Sequence, residues 1–366
     1  MGDEHPLIEC SSPNYFVARD KFRQLADALG WQREAHAIAA RGPAGEELTI
    51  DVAWSSAPSE APTLVVSSGL HGVEAEFGSA VQLSLLAAIA RKQWNPTNVR
   101  LVMLHALNPF GYVHSRRFDA DNIDNNRNFL LPGEEFRGSP AGYEQLDKWL
   151  NPRSPTHRFD WFLPQAVYHA VRMGTVPLKQ AIAGGQFDFE KGLFFGGDGP
   201  SQTHLVLSKH FARWMGESSK IVHLDFHTGL GKWGTGKLLL DAPLAESQRT
   251  FLDTHIGPNA YEETHAVGVA YQVRGSLGCW CARQGAAADY LYACAEFGTY
   301  SPLQALQGLR AENRAHHWGE PQSAATQRAK ERLRELFCPA SPAWRKQVVG
   351  TAVEWIEGAI AGLNKL

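Results

Sequence analysis

The sequence predicts an α/β fold, a largely parallel sheet carrying helices on both faces. Three observations predict it. Apolar, β-branched runs at 64–66, 99–104 and 221–226 have the length and composition of buried strands. A helical apolar pattern lies between the first two, and strand, helix, strand in that order implies a parallel crossover. The most reactive side chains gather where the runs end, as they do in open α/β sheets.

The elements follow in order. Phe16 to Leu29 has helical periodicity in Phe16, Phe22, Leu25 and Leu29 and stops at Gly30. Leu48 to Trp54 alternates and reads as a strand. Leu64 to Val66 is a buried strand ending in a glycine turn. Glu74 to Lys92 reads as a helix with Val81, Leu85, Ala88 and Ile89 on one face. Val99 to Leu104 is the next strand, and Leu107-Asn108-Pro109-Phe110-Gly111 follows as a turn. Over 130–205, five prolines (Pro132, Pro140, Pro152, Pro155, Pro164) interrupt the pattern, with one helix at Leu163 to Met173. The pairs Gly184-Gly185 and Gly196-Gly197 mark turns. This segment reads as an insertion near the mouth of a site, within a single domain spanning 1–366. Its Phe187, Phe189, Phe194 and Phe195 read as core packing of the insertion, with an aromatic pocket as the other reading. The sheet resumes at Ile221 to Phe226, Leu238 to Leu240 and Leu291 to Phe297. Val348, Ala352, Val353, Ile356 and Ile360 form the apolar face of a docking helix.

Composition bounds the function. The 366 residues are 44% apolar and 20% charged, which is globular rather than disordered. A net charge of −3 gives no general attraction to nucleic acid or an anionic membrane, so neither is an expected partner. No run of about 20 apolar residues suggests a membrane span. The first ten residues carry Asp3 and Glu4 and no apolar core, unlike a secretory signal. Five cysteines (Cys10, Cys279, Cys281, Cys294, Cys338) without a CxxC pair argue against a disulfide framework, and a reduced cytoplasmic setting is expected.

The chemistry begins at His71-Gly72-Val73-Glu74. An imidazole and a carboxylate three residues apart, at the start of a helix, can reach one metal ion. A third ligand follows a strand, at His227 in His223-Leu224-Asp225-Phe226-His227-Thr228-Gly229. Alternation puts His223, Asp225 and His227 on one face. His223 is read as a hydrogen-bonded core residue. Asp225 is either a carboxylate orienting a ligand imidazole or a turn-capping, salt-bridged residue. Glu296, in an otherwise apolar strand, is the candidate base, because a carboxylate there is costly unless paired or functional. The run from Arg116 to Phe129 holds three arginines and several asparagines. Such composition suits a solvated loop, but it also suits a site for an anionic substrate end. Gly231 to Leu238 imitates a phosphate-binding loop and fails where Leu238 replaces Ser or Thr. No GxSxG elbow is present, and Cys279-x-Cys281 reads as part of a packed strand or turn.

Taken in order, these motifs resemble the zinc carboxypeptidase superfamily. The matching parts are HxxE, Asn108-Pro109-Phe110-Gly111, an arginine, Asp124-Asn125-Asn126-Arg127-Asn128-Phe129, a strand-end histidine and a strand glutamate. His-Gly-Val-Glu, His-Thr-Gly and Glu-Phe-Gly-Thr look more like its succinylglutamate desuccinylase/aspartoacylase branch. The resemblance spans roughly 60–300. It implies a three-layer α/β/α fold around a mixed, largely parallel sheet, and one Zn²⁺ per chain held by His71, Glu74 and His227. Glu296 would be general base and then acid, and Arg117 would stabilise the oxyanion. Asn126 and Arg127 would bind a substrate carboxylate. Arg116 is grouped with them and is the alternative to Arg117. The substrate expected is a small molecule or short peptide bearing a carboxylate, cleaved at an amide bond. The competing reading is a non-catalytic binding protein that keeps the fold. The tyrosine that carboxypeptidases bring over the substrate has no clear counterpart, although Tyr261, Tyr271 and Tyr290 are available.

Overall fold

The computed structural model describes residues 12–94, 96, 98–156, 160–263 and 273–365. Helix α1 (Tyr15–Ala28) opens the described chain, capped by Asn14, whose side chain accepts from the Val17 N–H. Strands β1 (Gln32–Arg41), β2 (Glu47–Trp54) and β3 (Thr63–Ser68) follow, then α2 (Ala75–Ala90) and β4 (Arg100–His105). Helices α3 (Pro109–His114), α4 (Tyr143–Leu150), α5 (Phe162–Met173), α6 (Thr175–Ala183) and α7 (Gln202–Met215) precede β5 (Lys220–Thr228) and β6 (Gly236–Leu240). The remainder is α8 (Glu246–His255), β7 (Tyr261–Glu263), α9 (Leu277–Arg283), β8 (Asp289–Phe297), α10 (Pro302–Trp318), α11 (Ala324–Phe337) and α12 (Pro342–Leu363).

The eight strands form one sheet in the order β1-β2-β4-β3-β5-β8-β6-β7. Its centre, β4-β3-β5-β8, is parallel, whereas β1, β2 and β6 pair antiparallel on its flanks. Strands buried on both faces feed two layers by alternation. Leu64, Val66, Leu224 and Phe226 pack with Phe77 and Val81 of α2 and Trp344 and Ile356 of α12. Val65, Val102 and Ile221 pack the other way, with Phe211 and Trp214 of α7 and Trp280 of α9. This is the mixed, largely parallel three-layer fold expected. A third cluster joins α4, α5, α6, α10 and α11 to Val73 and Phe118. The stretch 72–90 is long and apolar enough to cross a membrane by composition, but it is largely buried as a core helix.

Some local expectations change. The 107–111 turn opens α3, because Asn108 accepts the Gly111 N–H at 2.8 Å and Pro109 fits the first helical position. Cys279 and Cys281 lie on helix α9, capped by Ser276, rather than in a strand or turn. Cys10 and Tyr271 fall outside the described residues.

Candidate metal centre

Because β3, β5 and β8 are neighbours and parallel, their carboxyl ends meet at one edge. His71 stands just beyond β3, after Gly69 turns the chain at φ +70°. Glu74 closes a short 3₁₀ turn, Gly72–Glu74, that leads into α2. Only glycine fits at 72, since a Cβ there would lie 2.1 Å from the Gly111 carbonyl carbon. His227 ends β5, and Glu296 sits beside it in β8, the two being register partners.

The three predicted ligands converge and are all buried. His71 Nδ1 is 3.0 Å from Glu74 Oε1, and His227 Nδ1 is 3.1 Å from Glu74 Oε2. The two Nδ1 atoms are 3.2 Å apart. Each far nitrogen meets a carboxylate, His227 Nε2 at 2.6 Å from Asp225 and His71 Nε2 at 3.2 Å from Asp124. Asp225 is itself fixed by the hydroxyls of Ser67 and Tyr292, which donate at 2.5 and 2.8 Å. At His227 the carboxylate sets the tautomer that leaves Nδ1 free to ligate, whereas His71 Nε2 faces both Asp124 and a guanidinium N–H of Arg117. Two such imidazoles and a carboxylate, within 4.8 Å of one another, match a zinc donor set with a position left for water. Burial raises the Glu74 pKa, but His71 and His227 outweigh it and hold the carboxyl well below its usual range.

Glu296 accepts the Leu230 N–H at 2.8 Å. Burial, and then the Glu74 carboxylate, push it up to about 7, while His227, that N–H and Arg117 pull the other way. Arg117 reaches into the cluster. Its Nε donates to Asp124 at 2.9 Å and its Nη1 to Glu74 at 3.2 Å, and Nη2 lies 2.7 Å from His71 Nε2.

Arg116 corrects the expectation that it joins the site. It is fully buried and donates to Glu312 and Asn313 of α10 and to Asn122. Successive residues at 116 and 117 point opposite ways, which separates the structural arginine from the one at the cluster. Arg127 donates from Nε and Nη2 to the Ala183 carbonyl, at 3.1 and 2.7 Å, and from Nη1 to its neighbour Asn126. Asn126 Oδ1 accepts the Leu277 N–H. Arg117 and Arg127 face the ring of Phe194, at 5.5 and 5.8 Å, and Phe194 holds a left-handed φ of +58°. Such a conformation in a bulky residue marks a constrained site. Sequence reasoning did not single out Phe194 or Asp124 for this. Asp124 stood inside the Asp-x-Asn-Arg motif, whereas Phe194 was read with Phe187, Phe189 and Phe195 as core packing or an aromatic pocket, not as a partner of the arginines. His223 is a core residue as expected, bonded to Ser67 and Tyr290. Tyr261 is likewise engaged, with Asp253.

The sheet and the site together define a protein of the zinc carboxypeptidase fold. Bovine thrombin-activatable fibrinolysis inhibitor, in complex with tick carboxypeptidase inhibitor, superposes with a TM-score of 0.51 at 10% identity, over 96% of this chain and 97% of that one. A second structure of thrombin-activatable fibrinolysis inhibitor gives 0.55 at 9% identity, over 98% of this chain and 80% of that one. The succinylglutamate desuccinylase from Chromobacterium violaceum also matches, with a TM-score of 0.39 at 15% identity over 85% of this chain and 75% of that one. No curated protein matches by sequence. Within this fold the chain belongs to the family described as "Protein of unknown function (DUF2817)", whose model matches residues 11–351.

Proposed function

We propose that this protein is a zinc-dependent hydrolase that cleaves an amide or peptide bond in a small substrate bearing a carboxylate, as a metallocarboxypeptidase or an N-acyl-amino-acid deacylase does. One observation carries the reading. The buried His71–Glu74–His227 cluster has a second carboxylate, Glu296, beside it in register with His227, close enough to form a further candidate metal-holding group with His227 and Cys294. A metal held by those three residues supplies a water of lowered pKa and a Lewis acid for the carbonyl. Glu296, pushed up to about 7, is matched to taking a proton from the attacking water and returning it to the leaving nitrogen. Arg117, with its charge against Glu74 and His71, places donors where negative charge develops on the carbonyl oxygen. Arg127 and Asn126 would receive the substrate carboxylate, and the 130–205 segment, which fixes Arg127 through Ala183, would frame the substrate's end.

The test is metal analysis by mass spectrometry on protein purified without chelator, beside His227→Ala, followed by a screen of N-acyl amino acids and short peptides. About one zinc per chain, lost in the variant, with turnover of any such substrate supports the reading. Zinc without turnover favours a binding protein that keeps the fold, and a folded protein that takes up no zinc overturns the mechanism.

A further inference from the structure

Helix α5 is anchored by one narrow face. Phe162 and Ala166 are buried, with Phe162 stacked on Trp149 at 5.4 Å. The opposite face is apolar and open. Leu163, Val167 and Val171 repeat every four residues along it, joined by Tyr168 and flanked by Trp161 and by Val176 of α6. Trp161 is 73% exposed, Val167 64% and Val171 82%. Residues 161–180 contain no Asp or Glu. The acid next to it in sequence, Asp160, is taken by Arg310 and Arg314.

From this patch we infer that α5 is the contact surface for a second copy of the chain, packed antiparallel about a two-fold axis. Area is the first argument. The six exposed side chains offer on the order of 700 Å² per copy, above the roughly 300–600 Å² of a typical largest monomer patch and close to the ~800 Å² each partner gives a stable interface. Symmetry is the second. A stripe at i, i+4, i+8 meets its own image when two helices run antiparallel, the self-complementary form of a two-fold contact. Charge is the third. The cation on this face of α5 is Arg172, at its C-terminal end, where its Nη1 donates to the Tyr168 hydroxyl at 3.1 Å and leaves the rest of the guanidinium outward. Antiparallel packing carries it to the far end of the other copy's α5, beside the partner's Trp161, whose ring face accepts a guanidinium. A helix of twelve residues spans about 18 Å, so the two Arg172 charges stand further apart than the ~8 Å screening length. A lipid surface fits less well, because only Arg172 and Lys179 lie within 161–180, and anionic lipid is recognised by clusters of about 4–8 cations.

The experiment is sedimentation velocity of the full chain across the micromolar range, beside a Val167→Asp/Val171→Asp variant. Both positions are exposed, so the circular dichroism spectrum should match wild type. A wild-type dimer that becomes monomeric in the variant, with the dissociation constant raised at least a hundredfold, supports the interface. A wild type that stays monomeric overturns it, as does a variant that stays dimeric. Wild type that is monomeric but co-sediments with phosphatidylglycerol vesicles, while the variant does not, assigns the patch to a lipid surface instead.

Discussion

At the residue scale the two carboxylates of the cluster differ by what each faces. Glu74 faces two imidazoles and stays ionised, whereas Glu296 faces Glu74 and a largely buried surround and is pushed up to about 7. That separation suits one carboxylate to ligation and the other to proton transfer. Glu296→Gln should therefore keep its zinc and lose turnover by a factor on the order of 10² or more. Mass spectrometry and steady-state kinetics on the same sample check this, and near-normal kcat removes Glu296 from the chemistry. Asp225 acts through His227, at 2.6 Å, and is itself held by two hydroxyls. Asp225→Asn should weaken zinc affinity roughly 10–100-fold, as losses of such supporting carboxylates do. Competition with a fluorescent chelator measures it, and unchanged affinity would make Asp225 a core residue only. Arg127→Ala should raise KM for carboxylate-bearing substrates more than it lowers kcat. Equal KM values for the variant and wild type would confine Arg127 to holding the Ala183 carbonyl.

At the element scale the centre depends on a close approach between the turn before α2 and the start of α3. Gly72 and Gly111 touch backbone to backbone, so a methyl at 72 has nowhere to go. Gly72→Ala must push His71 and Glu74 away from α3, and it should cost about 1–3 kcal/mol, as overpacking does, together with most of the bound zinc. Urea unfolding of metal-free protein gives the first quantity and metal analysis the second. Full stability and full zinc would mean that the turn yields. The same scale shows what the sequence revealed. Strands β3 and β4 were legible because burial on both faces makes them near-continuous apolar runs, and β5 and β8 because an apolar face runs on between their polar residues. Strand β1 was not legible, because at the sheet edge it is mostly exposed and reads Gln-Arg-Glu-Ala-His. Helix α10 hid its period by burying Arg310, Glu312, Asn313 and Arg314, polar residues satisfied by long-range bonds. The three residues of the His-Glu-His cluster were legible because HxxE and a strand-end His are local patterns. The opposed directions of Arg116 and Arg117 depend on α10, nearly 200 residues away in sequence, which no local pattern encodes.

At the scale of the whole molecule, a sheet buried between two helical layers sets a limit on acid tolerance. His105, at the end of β4, lies with its ring stacked on Phe22 of α1 at 4.7 Å and its Nε2 2.9 Å from the Ser79 hydroxyl of α2. It is fully buried, and burial first, with Arg23 and Arg19 adding to it, drives its pKa down to about 3. The unfolded chain protonates this histidine near pH 6.5. Between about pH 6.5 and 3 the unfolded state therefore holds more protons at this position than the folded state does. Stability falls as pH drops through that window and is unaffected by the residue above it. By linkage, acidifying to pH 5 should cost about 2 kcal/mol through His105 alone. The measurement is urea unfolding of chelator-treated protein at pH 7 and pH 5, which removes proton-linked loss of metal from the comparison. His105→Gln cannot take up a proton in this range, so it should lose less stability on acidification than wild type by about that amount, whatever its stability at pH 7. Equal losses in the two proteins would show that His105 is already protonated at pH 5 in the folded state, which a ring enclosed by Phe22 and Ser79 does not permit.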